Sequence, residues 1–187
     1  MAGKLGAAYI RGVNDIEIGT SLKHFACNNQ EYFRMSSDSI VDQRALREIY
    51  LYPFEIAIKE GKPSSVMCAY NKINGTYCSE NKWLLTDVLR NEWRFDGLVV
   101  TDWTAIGNRT VGFQCRCDLV MLGGSAYAEK EAYEIVIKGH LDEKLIGKSI
   151  EEFTQQIYDV NSTLKDIAKE SRLVRLMDCY YEHQQAK

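Results

Sequence analysis

The stretch GLVVTDW, residues 97–103, passes through three apolar residues and ends on the carboxylate of Asp102 beside the indole of Trp103. A continuous run rich in β-branched residues is typical of a strand that is covered on both faces in a parallel sheet. Parallel strands carry their catalytic or binding groups at their carboxyl ends. The sequence therefore predicts that Asp102 and Trp103 lie where such a fold performs its chemistry.

Two earlier apolar runs also end on polar side chains. SLKHF brings Lys23 and His24 near its end, and SVMCAYN brings Tyr70 and Asn71. A single polar residue at a strand end often does no more than enter solvent. Because the carboxyl ends of parallel strands meet at one rim, the coincidence in three successive strands predicts a shared site.

The elements between these residues alternate between strand and helix. Residues 38–60 show helical periodicity that ends at Gly61 and Pro63, and KWLLTDVLRNEW predicts a second helix. Repeated strand-helix units imply parallel strands joined by right-handed crossovers. The predicted inner face of the first helix consists of Ile40, Leu46, Ile49, Phe54 and Ile58, and the four predicted strands are SLKHF, SVMCAY, GLVVTD and DLVML.

Two α/β architectures fit this order, an open doubly wound sheet and a piece of a (β/α)8 barrel. No G-x-G-x-x-G fingerprint follows any strand, which disfavours a nucleotide-binding doubly wound fold. A complete barrel takes about 250 residues, so four units amount to half of one. The sequence predicts a partial barrel of about four βα units in residues 1–125 and a C-terminal helical segment in residues 126–187 that packs on it.

Composition narrows the function classes. The chain has 187 residues, a net charge of −3 and a pI near 5.7, which gives no broad basic field for nucleic acid. No apolar run is long enough to span a membrane, and MAGKLGAAYIRG lacks the apolar core of a signal peptide. Six scattered cysteines favour reduced thiols, and the Cys115-x-Cys117 pair lacks zinc-knuckle spacing. We therefore expect a cytoplasmic protein with no metal, no cofactor, no nucleic acid and no membrane partner.

The phrases KHFACNNQE, DQRALREIYLYPFEIAIKEGKPSSVMCAYNKINGTYCSEN, LLTDVLRNEWRFDGLVVTDW and DLVML resemble glycoside hydrolase family 3, of the β-glucosidase type. The resemblance runs almost without gaps from Gly19 to Leu122. It implies a retaining β-glycosidase barrel that acts on a β-glucoside or a short β-linked oligosaccharide. In it, Asp102 is the nucleophile, and the sugar-binding residues are Lys23, His24, Arg34, Met67, Tyr70 and Trp103.

The chemistry of these residues agrees with the implied roles. Retaining hydrolysis needs one carboxylate to attack the anomeric carbon and a second carboxyl group about 5–5.5 Å away to protonate the leaving oxygen. Charged donors such as Lys23, His24 and Arg34 suit sugar hydroxyls and favour an ionised carboxylate. An indole such as Trp103 offers its face to the C–H surface of a sugar ring.

The chain departs from the family pattern at several places. Only the helix-like AGKLGAAYIRG precedes SLKHF, so the first half of the barrel has no counterpart, and the second domain that supplies the glutamate acid/base in β-glucosidase-type members is missing too. The loop NNQEYFRMSSDSIV also lacks the histidine that acts as acid/base in the N-acetylglucosaminidase branch. The fourth strand ends in VML instead of the usual acidic-Met-Pro ending. We therefore expect a truncated relative that is weakly active or inactive alone.

Two other functions stay open at the level of sequence. Lys23 at a strand end could form a Schiff base in another barrel enzyme, with Gly123-Gly124-Ser125 holding a phosphate. The half-barrel could also be a non-catalytic carbohydrate-binding or assembly piece. Its open sheet edges predict a homodimer or a complementary barrel half as partner, since the inward side chains would lack an opposite wall. Those predicted inward side chains are Leu22, Val66, Met67, Val99 and Val120.

Overall fold

The main sheet is parallel, as the sequence predicts. The computed structural model describes residues 1–121, 126–139, 141–142, 144–151 and 154. Three strands pair in the order β1-β3-β6, with Leu22 opposite Val66 and Val66 opposite Val99. Their bounds are Ser21–Phe25 for β1, Ser65–Cys68 for β3 and Leu98–Val100 for β6. All three carboxyl ends therefore lie at the same edge of the sheet.

The fourth predicted strand is much shorter than DLVML. Leu119 forms a single parallel bridge with Val100, and Thr101 N–H donates to the Leu119 carbonyl at 2.9 Å. The prediction of four full strands is therefore wrong within the described residues, although the fourth segment does lie next to β6 in the predicted order. Leu122 and the Gly123-Gly124-Ser125 stretch lie outside the described residues.

A second, small sheet occupies the carboxyl edge of the first and was not predicted. Its strands are β2, Asp38–Ser39; β4, Lys72–Ile73; and β5, Thr76–Tyr77. Asn74 and Gly75 both have positive φ, 49° and 90°, and form the tight turn of the β4-β5 hairpin. The Asn74 carboxamide accepts the N–H of Val41 at Oδ1 and donates from Nδ2 to the Val41 carbonyl. This sheet thus ties the loop after β1 to the loop after β3.

Helices cover the main sheet. Helix α1 spans Ala2–Asn14, and α2 spans residues 43–61 as the contiguous segments Gln43–Ala45, Leu46–Leu51, Tyr52–Ile56 and Ala57–Gly61. The others are α3, Trp83–Glu92; α4, Arg109–Gln114; and α5, Ala126–Ile137, which contacts α4. Residues 144–151 are also helical. The predicted division between residues 125 and 126 adjoins residues 122–125, which lie outside the described residues, and it stays a prediction.

Helix α2 begins later than predicted. Residues 38–39 form β2, and the Asp42 carboxylate caps the helix by accepting the Ala45 N–H at 3.0 Å. Ile40 therefore precedes the helix and is 78% exposed. Ile49 is also exposed, because the wider i→i+5 turn over Leu46–Leu51 rotates it away from the core.

The hydrophobic core lies between the main sheet and the helices. Val66 and Val99 are fully buried there against α3, which contributes Leu85 and Leu89. Met67 is half-buried because successive side chains of a strand point to opposite faces. The prediction that Val66, Met67 and Val99 share one inward face is therefore wrong.

A buried ion pair joins α3 to the strands. Arg90 donates to Asp118 Oδ2 at 2.5 Å, and the same oxygen accepts the Val99 N–H at 2.7 Å. Asp118 Oδ1 accepts the Ser149 hydroxyl at 2.9 Å. The Asp118 side chain is fully buried. One carboxylate therefore links α3, β6, the fourth strand segment and the helical residues 144–151.

The five described cysteines are free thiols, namely Cys27, Cys68, Cys78, Cys115 and Cys117. Burial raises the pKa of Cys78 to about 12 and the pKa of Cys27 to about 11, so these thiols stay protonated at neutral pH. No helix in the described part of the chain is long and apolar enough to cross a membrane.

Candidate active site

Asp102 lies just beyond the carboxyl end of β6, after the buried Thr101. Its side chain is only 13% exposed. Carboxylate Oδ1 accepts the N–H of Trp103 at 2.7 Å, and the Asp102 carbonyl accepts the N–H of Ala105 at 3.0 Å. The local backbone thus fixes the orientation of one carboxylate oxygen.

His24 meets the other carboxylate oxygen. Its Nε2 lies 3.1 Å from Asp102 Oδ2. The two residues are far apart in sequence, and they meet because β1 and β6 flank β3 with their carboxyl ends at the same edge. The sequence prediction that these strand ends converge is confirmed.

Tyr70 follows β3 and completes a cluster of three strand ends. It is buried, and its hydroxyl lies close enough to the Asp102 carboxylate for the negative charge to act on it. Burial raises the pKa of Tyr70, and the negative charge of Asp102 raises it further. A phenol with a raised pKa remains a neutral hydrogen-bond donor throughout the physiological range.

Arg34 reaches this cluster from the loop after β1. Its guanidinium carbon lies 4.5 Å from the centre of the Tyr70 ring, a cation–π geometry. Glu31 holds the same guanidinium at 2.8 Å, and this hydrogen bond is the main cause that raises the pKa of Arg34. Glu31 was not predicted as a site residue; its i,i+3 spacing to Arg34 is the signal that could have indicated it.

The first 152 residues match the model of the glycosyl hydrolase family 3 N-terminal domain. The chain belongs to this family. It is 45% identical over 169 residues to thermostable beta-glucosidase B of Acetivibrio thermocellus, which covers 90% of this chain and 22% of that protein. It is also 47% identical over 121 residues to an exo-alpha-(1->6)-L-arabinopyranosidase of Bifidobacterium longum, covering 65% of this chain and 16% of that protein.

Solved family 3 structures share the fold. Beta-glucosidase 3B from Thermotoga neapolitana in complex with alpha-D-glucose superposes with a TM-score of 0.81 at 42% identity, covering 86% of this chain and 23% of that one. Beta-glucosidase from Kluyveromyces marxianus in complex with glucose gives a TM-score of 0.82 at 33% identity, covering 87% and 20%. This family 3 chain thus spans about a sixth to a quarter of the length of these relatives.

The three other predicted site residues of this family 3 chain lie at the same edge. Lys23 is exposed in β1 beside His24, and its side chain makes no hydrogen bond or ion pair within the described part of the chain. Met67 is half-buried near the end of β3. Trp103 is 53% exposed and follows Asp102 directly. The ammonium of Lys23 and the indole of Trp103 are therefore accessible to a ligand.

Two depressions open near this edge. A small one of about 100 Å³ lies next to Tyr70 and is bounded by Met35, Tyr77 and residues 104–107. A larger cleft of about 320 Å³ is lined by residues 27–30, residues 37–41 and Tyr50. Among the described residues, no group of three or more His, Cys, Asp or Glu side chains is arranged to hold a metal ion.

Proposed function

We propose that this chain is part of the catalytic domain of a retaining β-glucosidase and that Asp102 is its nucleophile. The observation that carries the proposal is the convergence of His24 and Tyr70 on the Asp102 carboxylate at the carboxyl edge of the parallel sheet. Relatives named as β-glucosidases match this chain over most of its length. Family membership and site geometry thus support the same chemistry.

In the proposed reaction, an Asp102 oxygen attacks the anomeric carbon while a carboxylic acid protonates the departing glycosidic oxygen. Water then hydrolyses the glycosyl-Asp102 ester with the same acid/base group acting as base. The hydrogen bond from Trp103 N–H to Oδ1 and the close approach of His24 Nε2 to Oδ2 orient the two carboxylate oxygens before attack. The acid/base group is not assigned to a residue of this chain.

The sugar-binding roles are part of the same proposal. The Lys23 ammonium has no ion-pair or hydrogen-bond partner among the described residues. The Arg34 guanidinium is held in place by Glu31 and Tyr70. Such donors suit the hydroxyls of a terminal sugar. Trp103 supplies an apolar face for the ring, and Met67 lines the interior side of the site.

The proposed substrate is a terminal β-D-glucoside or a short β-linked oligosaccharide. Relatives named as β-glucosidases and neighbours solved with glucose support glucose as the sugar. The B. longum relative named as an arabinopyranosidase favours keeping other pyranose sugars in the substrate panel. The Schiff-base alternative for Lys23 has no support from any of these relatives.

The isolated 187-residue chain is expected to act on activated substrates only. A dinitrophenolate leaving group needs little protonation, whereas a sugar leaving group needs an acid that is typically worth about 10²- to 10⁴-fold in rate. Release of 2,4-dinitrophenol from its β-glucoside and of glucose from cellobiose, both measured against the Asp102→Asn chain as background, tests this expectation.

Ordinary turnover of cellobiose that is abolished by replacing a glutamate of this chain would contradict the expectation and identify an internal acid. Sugar binding with no release of dinitrophenol would instead favour the non-catalytic carbohydrate-binding alternative.

A cytoplasmic location is proposed with the function, supported by the free state of the five described cysteines.

We further propose that the βα units form part of a (β/α)8 barrel that another polypeptide segment completes. Within the described residues, β1 pairs only with β3, which leaves its outer edge open to another strand. Large apolar side chains are exposed around the carboxyl edge, and we call them the rim patch. The rim patch consists of Tyr32, Phe33, Met35, Ile40 and Trp103.

In isolation the chain is expected to self-associate through the open edge of β1 and the rim patch. Sedimentation velocity at micromolar concentration should show a dimer or larger species, because an exposed apolar patch and an open strand edge both favour pairing. Ile40→Lys should weaken the association, whereas Leu5→Lys on the outer helix α1 should not. A monomer that unfolds cooperatively and stays monomeric as the concentration rises would contradict the proposed open barrel.

A further inference from the structure

The backbone loop that carries Asp102 is held by a neighbouring turn. The turn Cys78–Glu80 connects β5 to the segment before α3, and Ser79 in it is buried. The Ser79 hydroxyl donates to the Ala105 carbonyl at 2.7 Å. Ala105 in turn donates its N–H to the Asp102 carbonyl at 3.0 Å. Two consecutive hydrogen bonds thus connect Ser79 to the backbone of Asp102.

Glu80 holds the far end of the same loop. Its Oε1 accepts two backbone N–H groups, from Gly107 and from Asn108, each at 2.7 Å. A charged acceptor that receives two short N–H bonds makes a stronger contact than a neutral pair. A Cβ at position 107 would lie 3.0 Å from this oxygen, so the glycine leaves the carboxylate room to approach the backbone without being displaced.

The loop needs such contacts because its own conformation is unfavourable. Thr104 has a φ of 60°, in the left-handed region that β-branched residues rarely adopt. A residue in such a region persists only when the surrounding structure determines its conformation. Thr104 lies between Asp102 and Ala105, so relaxation of this loop would displace the carboxylate.

We propose that Ser79 and Glu80 are positioning residues for the nucleophile. They fix residues 105–108, and through Ala105 they hold the Asp102 carboxylate at the geometry for attack. Neither residue needs to touch the substrate. The inference rests on the proposed function, because it assigns these residues to the step in which Asp102 bonds to the sugar.

The test measures covalent labelling of Asp102 by 2,4-dinitrophenyl 2-deoxy-2-fluoro-β-D-glucoside, followed by intact mass. Glu80→Ala is expected to lower the rate constant of labelling by about 10- to 100-fold, since a small displacement of a reacting group carries this cost. The inactivator concentration at half-maximal rate should change by less than about 3-fold, because the sugar-binding groups are unaltered.

Glu80→Gln retains an amide oxygen for both N–H groups and should restore most of the labelling rate. Glu48→Ala removes an exposed glutamate whose ion pair, among the described residues, is with Arg44, and it serves as the matched control. Hydrogen exchange of peptides from residues 101–108 provides a reading that does not depend on activity. Exchange there should accelerate in Glu80→Ala and not in Glu80→Gln or Glu48→Ala.

The outcomes separate the two proposals. If the unaltered chain takes no label at Asp102, the proposed function fails, and the positioning role fails with it. If the unaltered chain is labelled and Glu80→Ala is labelled equally fast, only the positioning role is overturned. Faster exchange without slower labelling also overturns it, because the contact is then structural alone.

Discussion

Replacement of Asp102 by asparagine is expected to abolish covalent labelling and turnover, with a loss of about 10⁴-fold or more, as removal of a catalytic nucleophile usually causes. The amide has the shape of the carboxylate and still offers Oδ1 to the Trp103 N–H, so the loop should keep its conformation. Release of dinitrophenol from the aryl β-glucoside measures the loss. Thermal unfolding of the same variant should show a midpoint close to that of the unaltered chain.

Asp96→Asn is the matched control, because Asp96 is an exposed aspartate in the loop before β6. This variant should retain the activity of the unaltered chain. Peptide mapping after inactivation with the fluoroglycoside identifies the labelled residue. A label on another carboxylate, such as Glu31 or Asp118, would show that the nucleophile is wrongly assigned.

The largest effect on stability is expected at the buried Arg90–Asp118 pair. Asp118→Ala leaves the Arg90 guanidinium without its carboxylate and deprives Val99 N–H and the Ser149 hydroxyl of their acceptor. Removal of one partner of a buried ion pair costs about 3–5 kcal/mol in the free energy of unfolding. The midpoint of urea unfolding, monitored by tryptophan fluorescence, measures this loss.

A double variant distinguishes loss of the pair from loss of packing. Arg90→Met combined with Asp118→Leu should be less destabilised than either single variant, because the buried guanidinium and the buried carboxylate are then removed together. The exposed pair between Arg47 and Glu92 is the control. Arg47→Met should change the free energy of unfolding by less than about 1 kcal/mol, since exposed pairs contribute little. Equal losses at the two pairs would show that Asp118 does not hold these elements together.

Local sequence patterns were sufficient for the main elements. The apolar runs at residues 65–68 and 98–100 are strands, and the periodic segment at residues 83–92 is a helix, because burial and helical spacing each leave a pattern in neighbouring residues. The position of Asp102 at a strand end followed from the same pattern. Family membership, read from the phrases around these elements, is confirmed by the match over residues 1–152.

Sequence patterns within one segment gave wrong predictions where the folded structure decides the secondary structure or the burial of a residue. The short β2 strand was predicted as the start of a helix, but it pairs with β4, which lies more than thirty residues later in the chain. Ile49 was predicted in the core, yet the wider turn over Leu46–Leu51 exposes it. At β2, pairing with a distant strand outweighs a local preference that is worth less than about 1 kcal/mol per residue.

The sequence by itself determined which residues could do chemistry here and which strands would carry them. Only the tertiary structure decided which of them meet: His24 and Tyr70 contact the Asp102 carboxylate, and Glu31 and Glu80 hold groups around it. These contacts join segments that are distant in the chain, and they exist because parallel pairing brings three strand ends to one edge. A hydrogen bond between such segments leaves no periodic trace in either one, so only the folded arrangement reveals it.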